Sequence, residues 1–175
     1  MTSPASVFLL AVSWTALLSA CGTVRLPDER PADFAVEAAW STGSLPPQYH
    51  HRERLEITPS GAGALRSETA YGDGPSGTWS FQLNAADLDT LYDDLREAGL
   101  VRSWLRDSDP PVGGSSWWAD VTAAGQTIEI PAFVRRGQAS KERVGDALRA
   151  AVPGDVWAAH REWLAEAQAE GTGGG

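Results

Sequence analysis

Three histidines (His50, His51, His160), one cysteine (Cys21) and the two hydroxyls of Gly113-Gly-Ser-Ser116 are the groups from which this 175-residue chain would build nucleophilic chemistry. A serine nucleophile needs a positioned base, so Ser115 or Ser116 with a histidine or carboxylate is the one hydrolase constellation on offer, and no Gly-x-Ser-x-Gly elbow accompanies it. A loop leading into a strand accounts for the same residues more simply. His50 and His51 are neighbours, and neighbours on a strand point to opposite faces, which keeps them from sharing one zinc ion. No cysteine pair or helical His-x-x-x-His compensates, and the glycines between Gly61 and Gly77 precede no phosphate-reading lysine. Asp73, Asp107 and Asp109 lack the spacing of a calcium loop, and Asp87, Asp89, Asp93 and Asp94 decorate the polar face of a helix. The sequence therefore predicts no metal, no cofactor and no catalytic residue.

Tryptophan is in surplus, with eight in the chain. Exposed indoles stack on sugars or grip a protein partner, but Trp40, Trp79, Trp117, Trp157 and Trp163 all fall where strand or helix spacing turns them inward. Trp118 is the exception, because alternation sends it to the face opposite Trp117, Ala119 and Val121, beside the flexible Gly113-Gly114 pair. Leu45-Pro-Pro-Gln-Tyr49 is a second loop that would present an aromatic ring in an extended conformation. Trp118 and Tyr49 are the candidate binding patch.

The elements that must carry these residues read as one α+β domain over residues 34–170: an antiparallel sheet of about six short strands with helices packed on one face. Phe34, Val36, Ala38 and Trp40 alternate as a half-buried strand. Alternation resumes over Tyr49–Ile57, with Tyr49, His51, Glu53, Leu55 and Ile57 on one side and a polar face of His50, Arg52, Arg54 and Glu56 turned to solvent. Turn chemistry at Thr58–Gly63 leads into a strand over Ala64–Tyr71, and Trp79, Phe81 and Leu83 mark a fourth over Thr78–Leu83, completing a meander. Leu88, Leu91, Tyr92, Leu95 and Ala98 form one apolar helical stripe over Ala85–Ala98, capped by Asn84, stapled by Leu83 and Leu88, and closed at Gly99. Two more strands follow, Ser116–Thr122 and Thr127–Val134, the second an edge or interrupted strand because of Pro131. Ser140 is placed to cap a helix to Ala151, and a last helix follows Pro153 to about Glu170, with residues 171–175 a disordered glycine-rich tail.

Location is the most legible property. Val7–Leu18 (VFLLAVSWTALL) is an apolar run of a dozen residues, too short to span a bilayer, and it ends in Leu18-Ser19-Ala20-Cys21. This segment resembles the lipobox of bacterial lipoprotein precursors, which implies a signal peptide over residues 1–20, diacylglyceryl modification of Cys21 and a tether over residues 21–33. No Lys or Arg precedes the apolar run, which departs from the usual pattern. Gly22 after the cysteine implies the outer membrane where the host is Gram-negative. Residues 34–170 also resemble a family of small uncharacterised bacterial proteins that combine Gly-Ser-Leu-Pro-Pro-x-Tyr (Gly43–Tyr49), Val-Gly-Gly (Val112–Gly114) and Val-Pro-x-x-Val-Trp (Val152–Trp157); no activity comes with that resemblance.

Charge narrows the partners. With 14 basic and 23 acidic side chains the formal charge is -9, which excludes the phosphate-neutralising surfaces that bind nucleic acid or attach electrostatically to anionic lipid. The lone cysteine permits no internal disulfide, so an exported domain would rest on packing alone. The expectation is a lipid-anchored cell-envelope protein, non-catalytic, held to the membrane through Cys21 and engaging an envelope protein or glycan. The alternatives are an envelope serine-type hydrolase and a cytosolic protein with a misassigned start.

Overall fold

The computed structural model describes residues 25–100, 106–107 and 114–172, with backbone alone at 106–107 and 170–172. Cys21, the Val7–Leu18 run, Trp104, Val112 and Gly113 lie outside the described residues. The elements are β1 (Ala35–Ser41), β2 (His51–Ile57), β3 (Ala62–Thr69), β4 (Ser76–Gln82), α1 (Ala85–Glu97), β5 (Arg106–Asp107), β6 (Ser116–Ala123), β7 (Gln126–Ile130), β8 (Val134–Arg136), α2 (Gln138–Ala151) and α3 (Gly154–Thr172). Six strands form one antiparallel sheet in the order β4-β3-β2-β1-β6-β7, and β5 pairs with β8 apart from it. The α+β class is as the alternation and the helical stripe require. Among the described residues, no helix is long and apolar enough to cross a membrane.

Register sorts the side chains into two faces. Ala38, Leu55, Leu65, Ala119 and Ile130 line up across five strands and are all buried, and the helices close over this inner face. α1 contributes Leu88, Leu91, Tyr92 and Leu95, with Tyr92 edge-on to Phe34 at 5.1 Å between ring centres. Each such leucine removed from water contributes about 1.5 to 3 kcal/mol. Asn84 and Asp87 form the reciprocal cap that spares the first amides of α1, and Gly99, at φ +76°, takes the left-handed position after it. α2 lies so close that a Cβ on Gly145 would meet the Trp117 ring at 2.9 Å.

The other face is open and ionic. Arg52–Glu68, Arg54–Glu37 and Arg66–Glu56 pair at 3.5 to 3.7 Å. Glu129, Asp120, Glu37 and Glu56 stand directly opposite one another in a row across β7, β6, β1 and β2. Burial, then Glu129 and Glu37, push the Asp120 carboxyl above its ordinary range. A carboxyl raised on folding stabilises below its unfolded value of 3.8 and loses that contribution as the pH rises. Asp120→Asn should therefore gain stability at pH 7 by a few tenths to about 1 kcal/mol in urea denaturation, the range for like charges directly opposed, with the gain shrinking toward pH 3. A variant less stable at pH 7 would overturn this account.

Packing reaches back along the chain to Leu26, which is buried. Tyr92 Oη donates to Pro27 O at 2.8 Å, Arg96 Nη1 to Asp28 O at 2.7 Å, and Arg30 Nε to Asp89 Oδ1 at 2.6 Å. Asp33 then accepts the amides of Ala124 and Gly125 at the tip of the β6–β7 hairpin, at 2.8 and 2.6 Å. Those two residues have φ of 53° and 71°, the left-handed pair of a type I′ turn, and the carboxylate holds them.

Five local expectations are corrected. Tyr49 leaves the strand: Pro47–Tyr49 is a 3-10 turn started by Pro47, so the Leu45–Tyr49 loop is not extended. His50 is buried rather than solvent-facing. Strand β3 stops at Thr69 because Ala70 and Tyr71 turn left-handed, at φ 50° and 60°. Ser140 is no cap: α2 begins at Gln138 after Gly137, and the Ser140 hydroxyl accepts from Arg143 inside the first turn instead. Helix α3 also runs to Thr172, two residues into the expected tail.

Candidate functional site

One row of the inner face is different in kind. Gly77, Ser67, Glu53, Trp40 and Trp117 stand opposite one another across β4, β3, β2, β1 and β6, next to the apolar row of Leu65, Leu55 and Ala38. A carboxylate thus sits in the inward half of β2's alternation, and Glu53 is 7% exposed. Its neighbours come from three elements. His51 Nε2, two residues earlier on the same face, is 3.8 Å from Glu53 Oε1. His160 Nε2, from α3, is 3.7 Å from that oxygen on another side. Arg149 Nη1, from α2, lies 4.0 Å from Oε2. None of these separations is a hydrogen bond, and the Glu53 carboxylate accepts none among the described residues.

The histidines are as unusual as the acid. His160 stands among three indoles, Trp79 at 5.1 Å, Trp157 at 5.7 Å and Trp163 at 6.2 Å, with both ring nitrogens buried and without a hydrogen-bond partner. Its position follows from the helical spacing of Trp157, His160 and Trp163, which turns all three toward the sheet, and from Gly77, where a Cβ would strike Trp79 at 2.5 Å. Burial lowers its pKa below the ordinary value against the pull of Glu53, which favours the neutral ring. His51 Nδ1 and Ser67 Oγ are likewise buried and unpartnered. Buried polar groups without partners are rare enough that four such atoms around one carboxylate mark the place.

Beside this cluster lies a cavity of about 250 Å³, lined by Trp40, Thr42, His51, Glu53, Ser115, Trp117 and Arg149, among others. Trp40 and Trp117 are stacked at 6.4 Å and form its apolar wall. The Arg149 guanidinium lies over the Trp40 ring at 4.8 Å and 5.9 Å from that of Trp157, which holds it at the mouth, half-exposed. The chemistry offered is an acceptor at depth, a cation at the rim and hydroxyls between. Among the described residues, no three histidine, cysteine or acidic side chains are placed to hold a metal ion.

No family model and no curated protein matches the chain. Its function has to be argued from the geometry.

The residues singled out from the sequence are dispersed. Ser115 and Ser116 border the cavity with His51, but no hydrogen bond joins either hydroxyl to a histidine among the described residues, and the nucleophile–base pair of a serine hydrolase is not assembled. Trp118 is half-buried on the open face of β6, opposite Ala39, which it and Arg54 flank and which is 4% exposed. Tyr49 is 50% exposed on a turn packed against β3 and α3, on the helix side. His50 is spent on structure: its Nδ1 accepts the Tyr71 amide at 3.2 Å, its ring stacks on Tyr71 at 3.7 Å, and Tyr71 Oη donates to Leu45 O at 2.6 Å. The sequence singles out neither Glu53 nor Arg149, and it offers His160 only as one of three possible bases. The signal for Glu53 was available in its place among His51, Leu55 and Ile57 on the inward half of a strand; Arg149 and His160 become neighbours of it only through tertiary packing.

Proposed function

We propose that the chain is a lipid-anchored cell-envelope protein whose domain binds a small polar ligand in the cavity beside Glu53 and performs no chemistry on it. The binding half is supported by one observation above all: a buried carboxylate that accepts no hydrogen bond yet lines a cavity. Burying a charge costs several kcal/mol unless donors compensate, and a ligand supplies donors that the fold withholds. Among the described residues neither Ser115 nor Ser116 is hydrogen-bonded to a histidine, and the serine–histidine contact that is present, Ser41 Oγ to His50 Nε2 at 3.4 Å, involves a ring whose other nitrogen is taken by the Tyr71 amide, which favours binding over hydrolysis.

The anchoring half is supported by the apolar Val7–Leu18 run and the Leu18–Cys21 box. Acyl chains on Cys21 would supply about 0.8 kcal/mol for each methylene buried in the bilayer, which makes two or more chains a lasting anchor. In bacteria fed labelled palmitate, the full-length precursor should incorporate label and partition into detergent. Cys21→Ser should do neither. Equal labelling and partitioning of the two proteins would overturn the lipoprotein reading and favour a cytosolic protein with a misassigned start.

A further inference from the structure

The geometry points to a free α-amino acid as the occupant of the Glu53–Arg149 cavity, its ammonium on Glu53 and its carboxylate on Arg149. This rests on the binding reading above and gives it a ligand class. Glu53 has only acceptor oxygens, and Oε2 lies 4.0 Å from Arg149 Nη1, too far for the two to satisfy each other. An ammonium brings three donors to a carboxylate that has none. Arg149 has the complementary need: its guanidinium makes no hydrogen bond among the described residues, although its planar fork matches a carboxylate with two parallel bonds. The indoles of Trp40 and Trp157 lie against the half-exposed guanidinium and fix where it stands at the mouth.

Charge balance selects among ligands. The cavity is lined by one carboxylate, one guanidinium and one imidazole, that of His51. A purely anionic ligand would leave Glu53 without donors, and a purely cationic one would leave Arg149 unpaired. A zwitterion whose two charges sit on adjacent groups compensates both. Size agrees, since about 250 Å³ is smaller than the usual range for drug-sized ligands. The stacked Trp40 and Trp117 wall then faces the amino acid's side chain, which favours apolar over charged ones.

The test is titration calorimetry with tryptophan fluorescence on the full chain, using the twenty standard amino acids, the N-acetyl and amide derivatives of the tightest binder, and glucose as a neutral polyol. Supporting results are saturable binding of at least one free amino acid, a loss of tenfold or more on blocking either end, and a comparable loss in Glu53→Gln and Arg149→Gln variants whose thermal unfolding remains cooperative. Blocked derivatives that bind as well as the free amino acid, or glucose binding alone, would overturn the ligand class and leave the cavity a binding site. Binding of no probe at all would overturn both the ligand class and the binding reading. Where a glutamine variant fails to fold, the blocked derivatives on the unaltered chain decide the question.

Discussion

Leu95→Ala should destabilise the domain by about 3 to 5 kcal/mol, near the upper end for large-to-small core changes. Leu95 is fully buried on the stripe by which α1 covers the sheet, with Leu88, Leu91 and Tyr92 beside it. Its removal deletes three carbons of transfer free energy and leaves a cavity that neighbours held by the sheet and by the Leu26–Asp33 segment cannot fill. The measurement is the urea midpoint of the domain with its slope unchanged. A loss below about 0.5 kcal/mol would mean that α1 does not cover the core as described.

Lys141→Met should alter how stability varies in alkali. Lys141 is 3% exposed, donates from Nζ to Pro131 O at 2.6 Å and Ala132 O at 2.5 Å, and lies over Trp117 at 4.8 Å. Burial lowers its pKa from 10.5 to about 8. Between those values the unfolded chain holds a proton that the folded one has released, so stability rises with pH across the window and the cost of burying the charge is borne in full below pH 8. The interval corresponds to about 3 kcal/mol. The wild-type domain should therefore gain about that much relative to Lys141→Met between pH 8 and 10.5, as followed by urea denaturation. Parallel stability curves for the two proteins would mean that the amine is not held as described.

The contrast between α1 and the cavity shows what a sequence makes legible. Everything that shapes α1 is local: the stripe repeats every third or fourth residue, Asn84 reaches only to Asp87, and Gly99 acts on the turn before it. The meander is legible for the same reason, since each hairpin joins neighbours in the chain. Glu53 meets His160 across more than a hundred residues and Arg149 across almost as many, and no period in the sequence encodes that meeting. Ser140 and Tyr49 went astray at a finer scale. A serine near a helix start and an aromatic after two prolines each have two local solutions: Arg143, one turn along α2, takes the Ser140 hydroxyl, and Tyr71 fixes the loop through His50 and Leu45 on either side of Tyr49.

The strap from Leu26 to Asp33 also fixes a height. Only five residue steps separate Cys21 from Leu26, the first buried side chain among the described residues, and fully extended they reach at most about 17 Å. A folded unit of this length has a radius of gyration of about 15 Å. On the lipid-anchored reading, then, the domain would not drift on a long leash but would ride against the headgroups, unable to tumble, with the strap and the neighbouring end of α1 on its underside. Asp28, Asp89 and Asp93 lie on that side paired with Arg30 and Arg96, so the surface turned to the headgroups would be a set of ion pairs with charges of both signs within a Debye length, about 8 Å, of the lipid.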